Sequence, residues 1–295
     1  MNKYDLSIII PVYNEEEAII KVINNIRNDL ANKNINYEII IVNDGSTDKT
    51  CELLENTKIE NLKIINLPYN KGYGTALKTG IIKAESENIC IIDADDTYPT
   101  NMIYELYKDI NKYDMIVGSR TGEKVSIPNL RRPAKWFIGV LANYLAGTKI
   151  PDLNSGLRIF KKRLALTYFN ILPSGFSFTT TITLAAYSGD YFIKYIPINY
   201  YKRKGKSKIK PVRHTMEFTL LVFRIIMYFK PLKIFIPISS IIFIIGLYRT
   251  IYTIITRSMI HEFSVLTILL SVLIFLIGLF ADMIVKTRNT AINTN

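Results

Sequence analysis

Two carboxylates one residue apart, Asp93 and Asp95, follow directly on the apolar run Ile89–Ile92. In an extended backbone, residues i and i+2 project to the same side. The pair could therefore share one hard cation, Mg2+ or Mn2+, with the oxygens of a phosphate ligand. Taken alone, the same acidic stretch also suits a helix N-cap, with Asp96 or Thr97 as the capping residue. The second chemical feature is cationic. Between Lys202 and Lys233 there are ten Lys or Arg and a single acid, Glu217. Such a block attracts nucleic acid, anionic lipid or a phosphorylated substrate. It lies just before long apolar segments, which favours lipid and phosphate. No helix-turn-helix, zinc-finger or aromatic RNA-binding pattern accompanies it, so nucleic acid is not an expected partner.

The elements that must position these groups are readable from periodicity. Short β-branched runs at Leu6–Ile10, Glu38–Val42, Leu62–Asn66, Ile89–Ile92 and Met115–Val117 alternate with helical patterns at Glu15–Leu30, Asp48–Asn56, Gly74–Ala84 and Asn101–Ile110. Continuous apolar strands separated by helices predict an α/β fold with a mostly parallel sheet covered on both faces. Ligands of such sheets bind at the carboxyl ends of the strands. The polar clusters Pro11–Glu15, Asn43–Asp48 and Asp93–Pro99 fall at those ends. From Ser119 to Lys210 the alternation gives way to loops, two or three helices and a strand over Tyr191–Tyr201.

Residues 211–231 predict an amphipathic juxtamembrane helix lying in the membrane interface, with Leu220, Leu221, Phe223, Ile225, Ile226 and Tyr228 apolar among Arg213, His214, Glu217 and Arg224. Two apolar spans follow, Ile234–Ile255 and Val265–Val285, each of the roughly 20 residues a bilayer core requires. The short connector makes them a transmembrane hairpin over 232–288. Lys230 and Lys233 before it, and Lys286 and Arg288 after it, place both termini and the preceding domain (1–210) on the cytoplasmic side. An anionic lipid bilayer is then an expected partner. One hairpin is a thin anchor, and packing of hairpins in a homo-oligomer is an expectation too. The amino-terminal apolar stretch is too short for a signal peptide. Cys51 and Cys90 form no C-x-x-C pair, and no disulfide framework is expected.

Four motifs together resemble family 2 glycosyltransferases of the GT-A fold: Ile9-Ile10-Pro11-Val12-Tyr13-Asn14-Glu15-Glu16, Val42-Asn43-Asp44-Gly45-Ser46-Thr47-Asp48, Asn70-Lys71-Gly72 and Asp93-Ala94-Asp95-Asp96. The resemblance implies a nucleotide-sugar-binding domain in which Pro11, Tyr13, Asn14, Glu15 and Asp44 hold the nucleoside. It makes Asp95 the main metal ligand, with Asp93 nearer the ribose and diphosphate. Taken singly, Pro11 and Gly45 are also ordinary turn residues.

The second half is similar to the dolichyl- and undecaprenyl-phosphate branch of that family. Gly118-Ser119-Arg120 matches its post-strand arginine and Asn154-Ser155-Gly156-Leu157-Arg158-Ile159-Phe160 its Ser-Gly-Phe/Leu-Arg motif. Arg203-Lys204-Gly205-Lys206-Ser207-Lys208-Ile209 matches its Arg-x-x-Gly-x-Ser-Lys loop. By this resemblance a nucleotide-sugar donor transfers its sugar, with inversion, to a polyprenyl phosphate acceptor. Arg120, Ser155 and Arg158 would contact the acceptor phosphate; Arg203 and Lys208 would close over the donor diphosphate. An ionised phosphate monoester is already a nucleophile, so the chemistry calls for cations rather than a general base. Lys202, Lys204 and Lys210 suit attraction to lipid. Two positions depart from the branch: Thr97 stands where relatives often place Gln, and Phe178-Thr179-Thr180-Thr181 where many carry acids.

Two other functions fit parts of the chain. A processive polysaccharide synthase on the same fold carries Gln-x-x-Arg-Trp and more spans; Trp136, the sole tryptophan, sits in Arg132-Pro133-Ala134-Lys135-Trp136 and does not match. A membrane-tethered, non-catalytic nucleotide-binding subunit would not be expected to retain both aspartates with Arg120, Arg158 and Lys208. His214 and His261 do not form a metal pair.

Overall fold

A computed structural model describes residues 3–123, 139–140, 142–144, 146–175, 177–202, 223–257 and 261–293. The chain forms two compact units that divide near residue 220.

The first unit is built on a seven-stranded sheet: β1 (Leu6–Val12), β2 (Tyr37–Asn43), β3 (Leu62–Asn66), β4 (Asn88–Ile91), β5 (Met115–Ser119), β6 (Arg158–Lys161) and β7 (Ile193–Pro197). Its order is β3-β2-β1-β4-β6-β5-β7. Pairings from β3 through β4, and between β5 and β7, are parallel. The sheet is nonetheless mixed, because β6 runs antiparallel between β4 and β5. This strand adds to the expectation for Ser119–Lys210, which held loops, two or three helices and one strand over Tyr191–Tyr201. Its reversal brings the segment before Arg158 to the edge where β4 and β5 end, with Arg158 opposite Ile91 and Val117. The predicted strand Tyr191–Tyr201 is shorter, Ile193–Pro197.

Alternation along β1 assigns the two faces. Leu6, Ile8, Ile10 and Val12 join a buried cluster with Ile19, Val22, Ile23, Ile26 and Leu30 of α1 (Ile19–Leu30), and with Ile103 and Leu106 of α4 (Met102–Tyr107). Ile9 faces the other way, onto α3 (Tyr73–Lys83). A β-carbon at Gly80 of α3 would lie 2.5 Å from Ile9 Cγ2, so glycine sets how closely this helix approaches the sheet. The remaining helices of this unit are α2 (Thr50–Glu55), α5 (Lys162–Thr167) and α6 (Phe178–Ser188). Pro11 is tolerated in β1 because the pairing of β1 with β4 runs from Ser7↔Ile89 and ends at Ile9↔Ile91, before the proline.

The second unit contains two long helices, α7 (Leu232–Arg257) and α8 (Glu262–Asn293). Gly246 lies against Ile268 and Gly278 against Phe235, a pairing that makes the helices antiparallel. Leu232–Thr256 and Glu262–Thr287 are long and apolar enough to cross a bilayer, with mean hydropathy 2.0 and 2.8. Only 11% and 17% of these stretches are buried, whereas the core helix of a soluble domain would be mostly buried. Of the predicted amphipathic helix, residues 211–222 lie outside the described residues. Residues 223–229 are helical, with Ile225, Ile226 and Phe229 buried and Phe223 and Met227 exposed. No interfacial helix is identified from them.

Candidate active site

The loops after β1, β2, β3, β4 and β5 meet at one edge of the sheet, as the parallel pairing requires. Two of them are stitched together. Asn14, held in the left-handed region at φ 53°, donates its backbone N–H to Ser46 Oγ (2.9 Å), and its Oδ1 accepts from the Thr47 N–H (2.7 Å). Asparagine tolerates this conformation better than most residues, because its short polar side chain can bond locally. The Glu15 N–H donates to Thr50 Oγ1 (3.0 Å). These ties explain why α1 begins at Ile19 and not at Glu15.

Asp44 is buried, and its two oxygens accept from the N–H groups of Lys71 (2.7 Å) and Gly72 (2.8 Å). The carboxylate thus joins the Val42–Asp48 and Asn70–Gly72 motifs into one turn. Gly45 is required there: its φ is 66°, and a β-carbon would meet the Tyr69 backbone at 2.5 Å. Tyr13, Asn14, Glu15 and Asp44 therefore belong to one rim, above the ends of β1 and β2, with Pro11 buried inside β1 below it.

Asp93 and Asp95 follow β4 on the same edge, both half-buried. Each is held by a neighbour that the motif does not reveal. The Tyr73 hydroxyl, from the first residue of α3, donates to Asp93 Oδ1 (2.9 Å). Burial, then the Asp93 charge, pushes the Tyr73 pKa well up, so that the hydroxyl keeps its proton and its donor role. Thr97 donates its hydroxyl to Asp95 Oδ1 at 2.6 Å and its N–H to the same oxygen at 3.3 Å. Thr97 is fully buried, so it orients Asp95. Asp96 sits at φ 58° and pairs with Lys21, turning its charge away toward α1.

The Ser155–Arg158 segment closes the cleft from the β6 side. Ser155 is fully buried, and its hydroxyl donates to the Gly118 carbonyl (2.5 Å). Gly156 N–H donates to the Tyr98 hydroxyl (2.6 Å). Arg158 is also fully buried. Its Nε and Nη2 donate to the Ser155 carbonyl (3.0 and 2.6 Å), and Nη1 donates to the Thr179 carbonyl (3.0 Å) and Thr183 Oγ1 (2.6 Å). Burial lowers its pKa from the ordinary arginine value. Leaving one of those acceptors buried and unmatched would cost about 1–3 kcal/mol. The expectation of phosphate-facing groups at Ser155 and Arg158 thus meets a different geometry. Both point into the protein, because β6 carries Arg158 beneath α6 and not out to the rim.

Arg120, at the end of β5, forms a fork-to-fork pair with Asp152: Nε to Oδ2 and Nη2 to Oδ1, both 2.8 Å. Nη2 also donates to Asn154 Oδ1 (2.6 Å), and the guanidinium lies over the Tyr200 ring at 5.2 Å. Its side chain retains 13% exposure, against 2% for Asp152. Arg203 and Lys208 lie outside the described residues, as do Lys204, Lys210 and His214.

Among the described residues no three His, Cys, Asp or Glu side chains gather into a metal cage. Asp93 and Asp95 still fit a hard divalent cation, since Mg2+ commonly takes one or two carboxylates and completes its shell with substrate phosphates and water.

Comparison with known proteins agrees with this fold. Residues 7–169 match the glycosyl transferase family 2 model, and residues 230–287 match the GtrB C-terminal hairpin model. The chain belongs to glycosyl transferase family 2. It is a glycosyltransferase acting on a nucleotide-sugar donor, related to the polyprenyl-phosphate glycosyltransferases. It is 28% identical over 240 residues, 75% of this chain and 71% of the relative, to dolichyl-phosphate beta-glucosyltransferase ALG5C of Trichomonas vaginalis. With dolichyl-phosphate hexose transferase of Haloferax volcanii it shares 30% identity, over 70% of this chain and 87% of that one. The solved structure of glucosyl-3-phosphoglycerate synthase from Mycobacterium tuberculosis with UDP superposes at TM-score 0.59, 16% identical, covering 76% and 80% of the two chains. The same enzyme has been solved with Mn2+ and UDP-glucose. At that identity the likeness speaks for the fold.

Proposed function

We propose that this chain transfers a sugar from a nucleotide-sugar to a polyprenyl phosphate, undecaprenyl or dolichyl, in one inverting displacement at the cytoplasmic membrane face. The single observation that carries the reading is the pair Asp93 and Asp95 on one strand end, each held by its own hydrogen-bond donor. The polyprenyl-phosphate acceptor is supported by the relatives named above and by the match to the C-terminal hairpin.

The rim of Tyr13, Asn14, Glu15 and Asp44, with Pro11 below it, takes the nucleoside. Asp44 acts there partly through the Lys71–Gly72 turn that it fixes. Asp93 and Asp95 would hold Mg2+ or Mn2+, which neutralises the diphosphate as it leaves. Tyr73 and Thr97 keep the two carboxylates oriented before substrate arrives, so little reorganisation is needed at the moment of reaction. A phosphate oxygen of the lipid attacks the anomeric carbon, and the bond from that carbon to the diphosphate oxygen breaks. The nucleoside diphosphate departs with the electron pair, and no proton moves. Arg120 retains solvent access and, with Arg203 and Lys208, supplies the positive charge for the acceptor and the leaving group. Helices α7 and α8 form the membrane hairpin, with both termini cytoplasmic. Their exposed apolar side chains, such as Ile244 and Phe280, face lipid or a second hairpin in a homo-oligomer.

The test is transfer of radiolabelled sugar from a panel of nucleotide-sugars into extractable undecaprenyl or dolichyl phosphate, in Mg2+ and in Mn2+. Label in the lipid phase supports the reading. Turnover that releases only free sugar, with no label in either lipid, rejects it.

A further inference from the structure

We propose that Arg158 is a positioning residue for the metal-binding carboxylates. It acts as a rigid fork that holds the Ser155–Gly156 turn against Asp93, and the inference rests on the assignment of Asp93 made above.

Arg158 is completely buried, and the groups it bonds among the described residues are all neutral. A buried guanidinium is costly unless its donors are matched. Here the match is made by neutral acceptors from two segments far apart in sequence. The Ser155 carbonyl receives two of its N–H groups, and Nη1 donates to the Thr179 carbonyl and Thr183 Oγ1 in the first turns of α6. Thr183 Oγ1 also lies 2.8 Å from the Thr179 carbonyl and 3.2 Å from the Leu153 carbonyl. The fork thus spans from α6 to the turn that precedes its own strand.

What the turn does is visible one residue further on. Gly156 packs on the Asp93 carboxylate, where a β-carbon would lie 2.3 Å from Oδ2 and 2.7 Å from Cγ. Its N–H is fixed by Tyr98, a buried ring stacked edge-on against Tyr200. Asp93 is therefore confined on one side by the Gly156 backbone and on another by the Tyr73 hydroxyl. A shift of a few tenths of an ångström in the turn would be passed directly to the carboxylate. Lysine cannot replace this arrangement, because one ammonium cannot reach both the Ser155 carbonyl and the acceptors of α6 as a planar fork does.

The experiment measures Mn2+ affinity of the full-length protein in neutral detergent, by electron paramagnetic resonance, with UDP or with GDP present. Arg158→Met and Arg158→Lys should each weaken Mn2+ binding about 10- to 100-fold, the range for groups that orient metal ligands. Gly156→Ala should do the same, and the Arg158→Met/Gly156→Ala double variant should be no worse than the poorer single, because both disturb one contact. Thr183→Val removes only one acceptor; it keeps the test open if Arg158→Met fails to fold and should give a smaller loss in the same direction. The inference is overturned by wild-type Mn2+ affinity in a folded Arg158 variant, by full rescue in Arg158→Lys, or by losses that multiply in the double variant. If the wild-type protein binds Mn2+ with neither nucleotide, the assignment of Asp93 and Asp95 fails first. If it binds and the variants match it, only the role given to Arg158 fails.

Discussion

Gly156 leaves no room for a side chain against Asp93: a β-carbon at this position would stand 2.3 Å from the carboxylate oxygen Oδ2. The motif glycine and the motif aspartate, 63 positions apart, are thus one contact. Gly156→Ala should cut turnover by roughly 100-fold. As an overpacking change it should lower stability by only about 1–3 kcal/mol. Steady-state rates together with a thermal melt check this. A variant with near-normal turnover would show that Asp93 has slack the packing does not suggest.

Asp95 and Thr97 form the other half of the carboxylate pair. Asp95→Asn should abolish transfer while the protein stays folded, since an amide cannot replace charge opposing a diphosphate. Thr97→Val removes the 2.6 Å hydroxyl bond to Asp95 Oδ1 and should cost about 10- to 100-fold in activity, recovered in part by raising Mn2+. A metal titration of each variant makes the comparison. Asp95→Asn turnover within a few-fold of wild type would remove Asp95 from the metal site.

The pH profile should have an acid limb and no early alkaline one. The lipid phosphate must carry its second charge to attack well, and a phosphate monoester gains it near a pH of about 6. Turnover should therefore rise through that value. Burial and the Asp93 charge raise the Tyr73 pKa above its ordinary value, so its donated bond to Asp93 persists below that raised value and is lost only on strongly alkaline titration. Rates measured from pH 5 to 9 test this. Turnover that fell again between pH 7 and 8 would point to an essential protonated group, a general acid, that this mechanism does not need.

The cations should separate into two kinds. Lys208→Ala should reduce turnover sharply in neutral detergent at saturating substrate, because its loop is expected to close over the donor. Lys204→Ala should leave that turnover unchanged and weaken membrane association alone, by about 1 kcal/mol, with the difference masked at high salt. Vesicle sedimentation alongside detergent assays distinguishes them. Equal losses in detergent would make the basic block an undifferentiated surface.

The strands up to β5 were legible because each is a buried β-branched run that periodicity reveals, and the four motifs marked their carboxyl ends. The short strand β6 was not. Arg158–Lys161 has four residues, begins with a charge and lies inside a motif read for its chemistry, so neither length nor alternation announced a strand. The same strand accounts for the inward geometry of Ser155 and Arg158. Only the antiparallel insertion turns these side chains into the protein, toward Gly118 and α6. Tyr73, Thr97 and Asp152 were likewise not assignable from sequence as partners of Asp93, Asp95 and Arg120. Side-chain pairs from different loops leave no spacing signal, although Tyr73 does stand between two glycines that let α3 start close to the 173–175 backbone.

The proposed reaction is a single displacement of a nucleoside diphosphate by a lipid phosphate. NMR of the lipid product, formed from a donor of known anomeric configuration, tests it most directly. A single displacement gives a polyprenyl monophosphate sugar of inverted configuration, so an α-linked donor should yield a β-linked product. A product of retained configuration, or a sugar chain longer than one unit on the lipid, would contradict it.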